Sequence, residues 1–215
     1  MNFMRRVPWI AVVWLGFTAG GAEAGGPSVI NTTAPALIQL VGATGGVPDV
    51  ATGRFTVVAR DVAANPIRGA YVIIDFTDCA DVTICADQMD PEALTDCAYK
   101  NVRKFTNGLG EVTFTILGGS IGAGQASLLS LWGRAKIFVN GALMATPSVA
   151  TYDLDGSGGV GAGDLSAWLT DFGSGESRAR SDFDGSGSIG AEDLSAWLSV
   201  FGAGTSTESC PASCP

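Results

Sequence analysis

The sequence predicts a mainly β protein that ends in a small α module: an antiparallel sandwich followed by a duplicated loop-and-helix unit. Three observations carry this. Between about Ser28 and Val149, short β-branched and aromatic runs alternate with turn signals. Beyond them, the stretch Asp153 to Gly173 returns as Asp182 to Gly202, identical at 15 of 21 positions at an offset of 29. Finally, 30 glycines and only 15% charged residues suit a turn-rich, strand-rich chain.

The first element is an expected leader, residues 1–24. Arg5 and Arg6 precede the apolar run "VPWIAVVWLGF", which is too short to span a bilayer. Ala22 to Ala24 read "AEA", the small-x-small cleavage pattern. Cleavage is expected before Gly25, giving a mature chain that is exported, extracellular or attached at the cell surface, with no membrane span. Disulfides are permitted in that compartment.

The β part is expected over residues 25–150. "GRFTVVARD" alternates at Phe55, Val57 and Ala59, and "GAYVIIDF" is β-branched and aromatic. "NVRKFT" and "EVTFTIL", joined by "NGLG", read as a hairpin. Asn140-Gly141 inside "AKIFVNGALMA" is the strongest short hairpin signal in the chain. Roughly five to eight such strands suit an antiparallel sandwich. Residues 77–98 interrupt the pattern and read as a long loop between strands, stapled by a disulfide: they are polar, acidic and hold Cys79, Cys85 and Cys97. Short loops cost least to close. Cys79–Cys85 is therefore the first pair expected, with Cys210–Cys214 in the tail 205–215 and Cys97 left over.

Composition excludes several functions. With no histidine, there is no Ser-His-Asp triad, Cys-His pair or histidine-bound zinc. A net charge of -9 argues against a nucleic-acid partner. Asp61, Asp75, Asp78, Glu92, Asp96 and Glu111 offer carboxylates, but no pattern pairs two of them across a cleft as a glycosidase requires.

The duplicated unit, residues 151–204, carries the chemistry. A calcium loop of 12 residues delivers oxygens from positions 1, 3, 5, 7, 9 and 12, with glycine at 6. The first copy places Asp153, Asp155, Ser157, Gly159, Gly161 and Asp164 there, with Gly158 in the glycine slot. The second places Asp182, Asp184, Ser186, Ser188, Gly190 and Asp193, with Gly187. Positions 1, 3, 5 and 12 would bind through side chains, position 7 through its carbonyl and position 9 through a water. Two calcium ions are expected. Metal-free Asp-Gly turns are the alternative, against which stands the intact recurrence of the spacing. Each loop leads into one helix, with Leu165, Trp168, Leu169 and Phe172 on a stripe in the first and Leu194, Trp197, Leu198 and Phe201 in the second. The two stripes are expected to pack Trp168 and Phe172 against Trp197 and Phe201.

Aspartate at position 12, one helix per loop, and duplication together resemble the type I dockerins of cellulosomal proteins. The resemblance implies calcium-dependent folding and docking onto a cohesin-like domain or surface assembly. The family reads its partner at positions that fall here on Ala162, Gly163, Leu169 and Thr170, and on Ala191, Glu192, Leu198 and Ser199. The serine-threonine and lysine-arginine pairs familiar there do not stand at these positions. Upstream, "VVARDVAANPIRGAYVIIDF" followed by "KFTNGLGEVTFTI" resembles the bacterial immunoglobulin-like domains of invasin-type adhesins. The resulting expectation is a secreted, calcium-binding, non-catalytic modular protein. The alternatives are a dockerin-borne polysaccharide-active protein and a carbohydrate-binding one, for which Trp132 is the β part's single tryptophan.

Overall fold

The computed structural model describes residues 25–122, 134–208 and 213–214. The expected leader, Trp132 and Cys210 lie outside these. The described chain is mainly β with antiparallel sheets and three α-helices. Its strands are β1 (Leu37–Leu40), β2 (Ala43–Thr44), β3 (Val47–Pro48), β4 (Arg54–Val58), β5 (Tyr71–Asp75), β6 (Val82–Ile84), β7 (Leu94–Asp96), β8 (Asn101–Phe105), β9 (Glu111–Thr115), β10 (Gly118–Ser120), β11 (Lys136–Val139), β12 (Ala142–Ala145) and β13 (Ser148–Thr151). The helices are α1 (Val50–Gly53), α2 (Ala162–Gly173) and α3 (Ala191–Ala203).

Period-two alternation sets one face of each main strand inward, as Val72 and Ile74 show on β5 and Ile137 and Val139 on β11. One sheet runs β12-β11-β5-β8-β7, antiparallel throughout. β4 pairs with β9, and β6 with β10, both antiparallel. Val57, Phe114 and Ile84 from these pairings, Val72, Ile74, Val102 and Ile137 from the sheet, and Ile38 and Val149 from β1 and β13 meet in one apolar cluster. Asn140 and Gly141 both adopt positive φ, 49° and 82°, which suits the two-residue turn predicted between β11 and β12.

Three expectations are corrected here. β1 pairs with β13 in parallel. A parallel pair needs a long connection, and nearly the whole β part lies between these strands. "NGLG" does turn, with Asn107 Oδ1 accepting from the Leu109 and Glu111 amides at 2.8 and 3.0 Å, but it joins no hairpin. Both edges of β8 are taken by β5 and β7, so β9 crosses to β4. Residues 77–98 are also more than a loop, since they supply β6 and β7.

The expected disulfides are likewise wrong. Cys97 bonds Cys214 across a separation of 117 residues, Cys85 is also disulfide-bonded, and Cys79 is free and buried. β6 separates Cys79 from Cys85, and they enter different apolar clusters. The tail returns alongside β6: the Cys214 amide donates to Ile84 O at 2.7 Å, and Thr83 Oγ1 donates to Cys214 O at 2.6 Å. Strand pairing thus outweighs the weak, logarithmic preference for short loops. In the chain-entropy account a closure this long stabilises by about 4–5 kcal/mol.

The duplicated unit packs against the β part. Its buried Trp168, Trp197 and Val200 share a second cluster with Val41, Leu117 and Ala150 of the β part. Tyr152 stacks on Phe183 with ring centroids 4.6 Å apart, and Trp197 Nε1 donates to Tyr152 O at 3.3 Å. The inward stripe of α2 is Asp164, Ala167, Trp168 and Asp171, one residue behind that expected. Trp168 and Trp197 are 3% and 1% exposed, whereas Phe172 and Phe201 remain 52% and 45% exposed, each stacked on its own helix's tryptophan.

Alkylation should therefore leave Cys79 unmodified in the native chain and modify it after denaturation. A non-reducing peptide map should find Cys97 joined to Cys214. Native labelling of Cys79, or a Cys79–Cys85 peptide, contradicts this arrangement.

Candidate metal centre

β13 delivers the chain into the first loop, and a 3-10 turn, Ala179–Ser181, delivers it into the second. The last aspartate of each loop stitches it shut. Asp164 Oδ1 accepts from the Leu154 and Asp155 amides at 2.6 and 2.9 Å, and its Oδ2 accepts from Gly161 N at 2.7 Å. Asp193 repeats this with Phe183 and Asp184 at 2.7 and 3.1 Å and Gly190 at 2.7 Å. Gly161 and Gly190 are the N-caps of α2 and α3, so each carboxylate also lies at the positive end of its helix.

The first aspartate folds the loop inward. Asp153 Oδ2 accepts from the Gly158 and Gly159 amides, both at 3.2 Å. Asp182 accepts from Ser186 N and Gly187 N, both at 3.0 Å. Gly158 and Gly187 have φ of 103° and 90°, a region side-chain-bearing residues avoid. Asp155 Oδ1 accepts from the Ser157 amide and Asp184 Oδ1 from the Ser186 amide, both at 2.8 Å. In the second loop Ser186 Oγ also donates to Ser188 O at 3.2 Å.

These turns bring carboxylate oxygens of Asp153, Asp155 and Asp164 within 4.8 Å of one another, and those of Asp182, Asp184 and Asp193 likewise. Asp164, Asp182 and Asp193 are buried. Asp153 Oδ1 is buried too, and among the described residues it has no hydrogen-bond partner. Three carboxylates and an orphaned oxygen fit a hard, oxygen-seeking dication such as calcium.

The electrostatics agree. Burial, and then the charge of Asp164, push Asp153 up to about 6. Burial, with the charges of Asp193 and Asp184, pushes Asp182 up to about 6. Burial raises Asp164 as well. Asp155 is also penalised by burial, but the Ser157 hydrogen bonds prevail and hold it below the usual range. Those of Ser186 do the same for Asp184.

The eight positions that the dockerin resemblance assigns to partner reading, Ala162, Gly163, Leu169, Thr170, Ala191, Glu192, Leu198 and Ser199, are all exposed. The β-part carboxylates are spread over local contacts. Asp61 closes a turn on Asn65, Asp75 accepts from Thr77, and Asp78 pairs with Lys136. Glu92 lies 3.5 Å from Lys104, Asp96 pairs with Arg103, and the Glu111 carbonyl receives Asn107 N.

One surface escaped sequence reasoning. On the outer face of the five-stranded sheet, Leu143, Phe138, Ile73, Arg103 and Leu94 form a row across all five strands. Tyr71 and Phe105 lie beside it with ring centroids 5.0 Å apart. The outward positions were visible in the alternation, but the strand order that aligns them was not.

No family model, curated protein or solved structure matches the chain.

The raised carboxylates set a pH dependence. A carboxyl whose folded pKa exceeds its unfolded value contributes stability below the unfolded value, and that contribution is lost as pH rises through the folded one. The ion-free chain should therefore melt higher at pH 5 than at pH 7 in the presence of chelator. Calcium affinity should fall below about pH 6, as protons compete for Asp153 and Asp182. A chelated melting temperature that climbs between pH 5 and 7 contradicts the assignment.

Proposed function

We propose that the chain is an exported, non-catalytic protein in which each duplicated loop binds one calcium ion and the calcium-set helices attach it to a protein partner or extracellular assembly. The observation that carries this is the pair of carboxylate triads, each within 4.8 Å, one of them with a buried oxygen left unpaired. Asp153, Asp155 and Asp164 would hold one ion with Ser157, the Gly159 carbonyl and a water at Gly161. Asp182, Asp184 and Asp193 would hold the other with Ser186, the Ser188 carbonyl and a water at Gly190. The ion would supply the positive charge that lets three crowded carboxylates share one loop.

Docking would use the outward ridges of α2 and α3. Leu169 and Phe172 on one, and Leu198 and Phe201 on the other, are large apolar side chains in solvent. Their positions repeat at the offset of 29 and include those that the dockerin resemblance marks. On this reading the β part is an immunoglobulin-like sandwich carrying the docking unit.

Calcium should stabilise the full chain by about 2.7 kcal/mol per site when calcium stands near 100 times Kd, read as a rise in melting temperature. Asp153→Ala with Asp182→Ala should abolish the rise. Pull-down from the native secretome should recover a partner in calcium and lose it in chelator. Leu169→Asp with Leu198→Asp should lose the partner while keeping the calcium-induced rise. An unchanged melting temperature on adding calcium sinks this function.

The aromatic pair on the outer face of the sheet favours a second reading, carbohydrate binding. Tyr71 and Phe105 offer ring faces, and Arg103, whose Nη1 donates to Tyr71 Oη at 3.3 Å, offers hydrogen bonds beside them. Retention on insoluble polysaccharide should then disappear in Tyr71→Ala with Phe105→Ala. Equal retention of this variant removes that reading.

A further inference from the structure

We infer that Arg180 is a positioning residue that couples the two cation loops through the β part of the molecule. The inference rests on the calcium reading above. The repeat itself points to the place: Asp171 stands where the second copy has Val200, and Arg180 stands where the first has Thr151. Both Asp171 and Val200 are buried, so a charge occupies a slot that is apolar in its twin.

The guanidinium is fully buried and forks onto this aspartate, Nε to Oδ2 at 2.7 Å and Nη2 to Oδ1 at 2.8 Å. Ser181 Oγ adds a bond to Oδ2 at 2.6 Å. A buried charge of either sign needs its partner, which fixes the inter-copy linker to α2. Arg180 Nη1 then reaches the β part, donating to Ser120 Oγ at 3.2 Å and to Gly122 O at 2.8 Å.

Ser120 touches the first loop as well. Its amide donates to Asp153 O at 2.8 Å. The Gly156 backbone lies so close that a Cβ there would sit 2.6 Å from Ser120 O. One residue thus holds position 1 of the first loop and the arginine that lies two residues before position 1 of the second. Asp153 and Asp182 are joined through Ser120, Arg180 and the Ala179–Ser181 turn, whose Ala179 O receives the Asp182 amide at 3.3 Å. An ion that orders either loop fixes Ser120 or Arg180, and with it the frame of the other loop. The sites should bind cooperatively, and the cooperativity should depend on side chains outside both loops.

Stepwise calcium constants of the full chain, from calorimetry with a competing chelator, test this. In the wild type, Asp153→Asn should weaken calcium binding at the second loop at least tenfold. With Ser120→Ala, which leaves the ion pair in place, the same replacement should cost threefold or less. The compensated pair Asp171→Val with Arg180→Met should give the same reduced penalty with both loops still binding. A purely structural Arg180 would lower the melting temperature and leave these ratios unchanged, which overturns the inference. So do two ions bound with independent affinities in the wild type, a result that spares the calcium reading. A wild-type chain that takes up no calcium overturns both.

Discussion

The crowding of carboxylates, several of them withdrawn from water, is the constraint on which the duplicated unit depends. Each loop gathers three aspartates within 4.8 Å, and backbone amides turn them inward. Amide donors offset part of the cost of that crowding, but Asp153 and Asp182 still sit far above the ordinary carboxylate range. The fold thus holds charge that it does not itself neutralise. The loops also begin both long helices, so the state of this charge bears directly on α2 and α3.

The loop-and-helix unit meets that constraint with help from outside. Trp168 and Trp197 are buried against residues of the β part, and the unit's second cluster is incomplete without Val41 and Leu117. The tail crosses the first loop, where the Val160 amide donates to Ser206 O at 2.9 Å, and then returns to β6. A piece cut at residues 151–204 would leave behind part of its own core. Charge supplied by an ion and apolar surface supplied by the β part therefore stabilise the same helices.

What was legible in the sequence was local. Asn140-Gly141 demanded positive φ at both residues, and the turn has it. The spacing of the loop aspartates brought them together, because twelve consecutive residues with glycines at fixed places have few ways to fold. Distant competition stayed hidden. Nothing near "NGLG" reports that both edges of β8 are occupied, and nothing near Cys97 reports that the tail will lie beside β6. The helix stripes were misplaced by one residue because apolar spacing along a helix does not show that Asp164 turns in to its own loop, that Asp171 turns in to Arg180, or that Ala167 and Trp168 meet the β part. Phe172 and Phe201 were left outside by the same rotation.

The Cys97–Cys214 bond also makes a covalent ring of everything between those residues, both loops and both long helices included. The exposed inter-copy segment around Gly175 and Glu176 lies inside that ring. A protease that cuts there opens the ring and releases nothing, since the two pieces stay joined through sulfur. Outside a cell, where nicking is routine and reductant scarce, the molecule would survive such a cut as a two-chain species. Only reduction would then leave α3 and the tail without a covalent tie to α2 and the sheets.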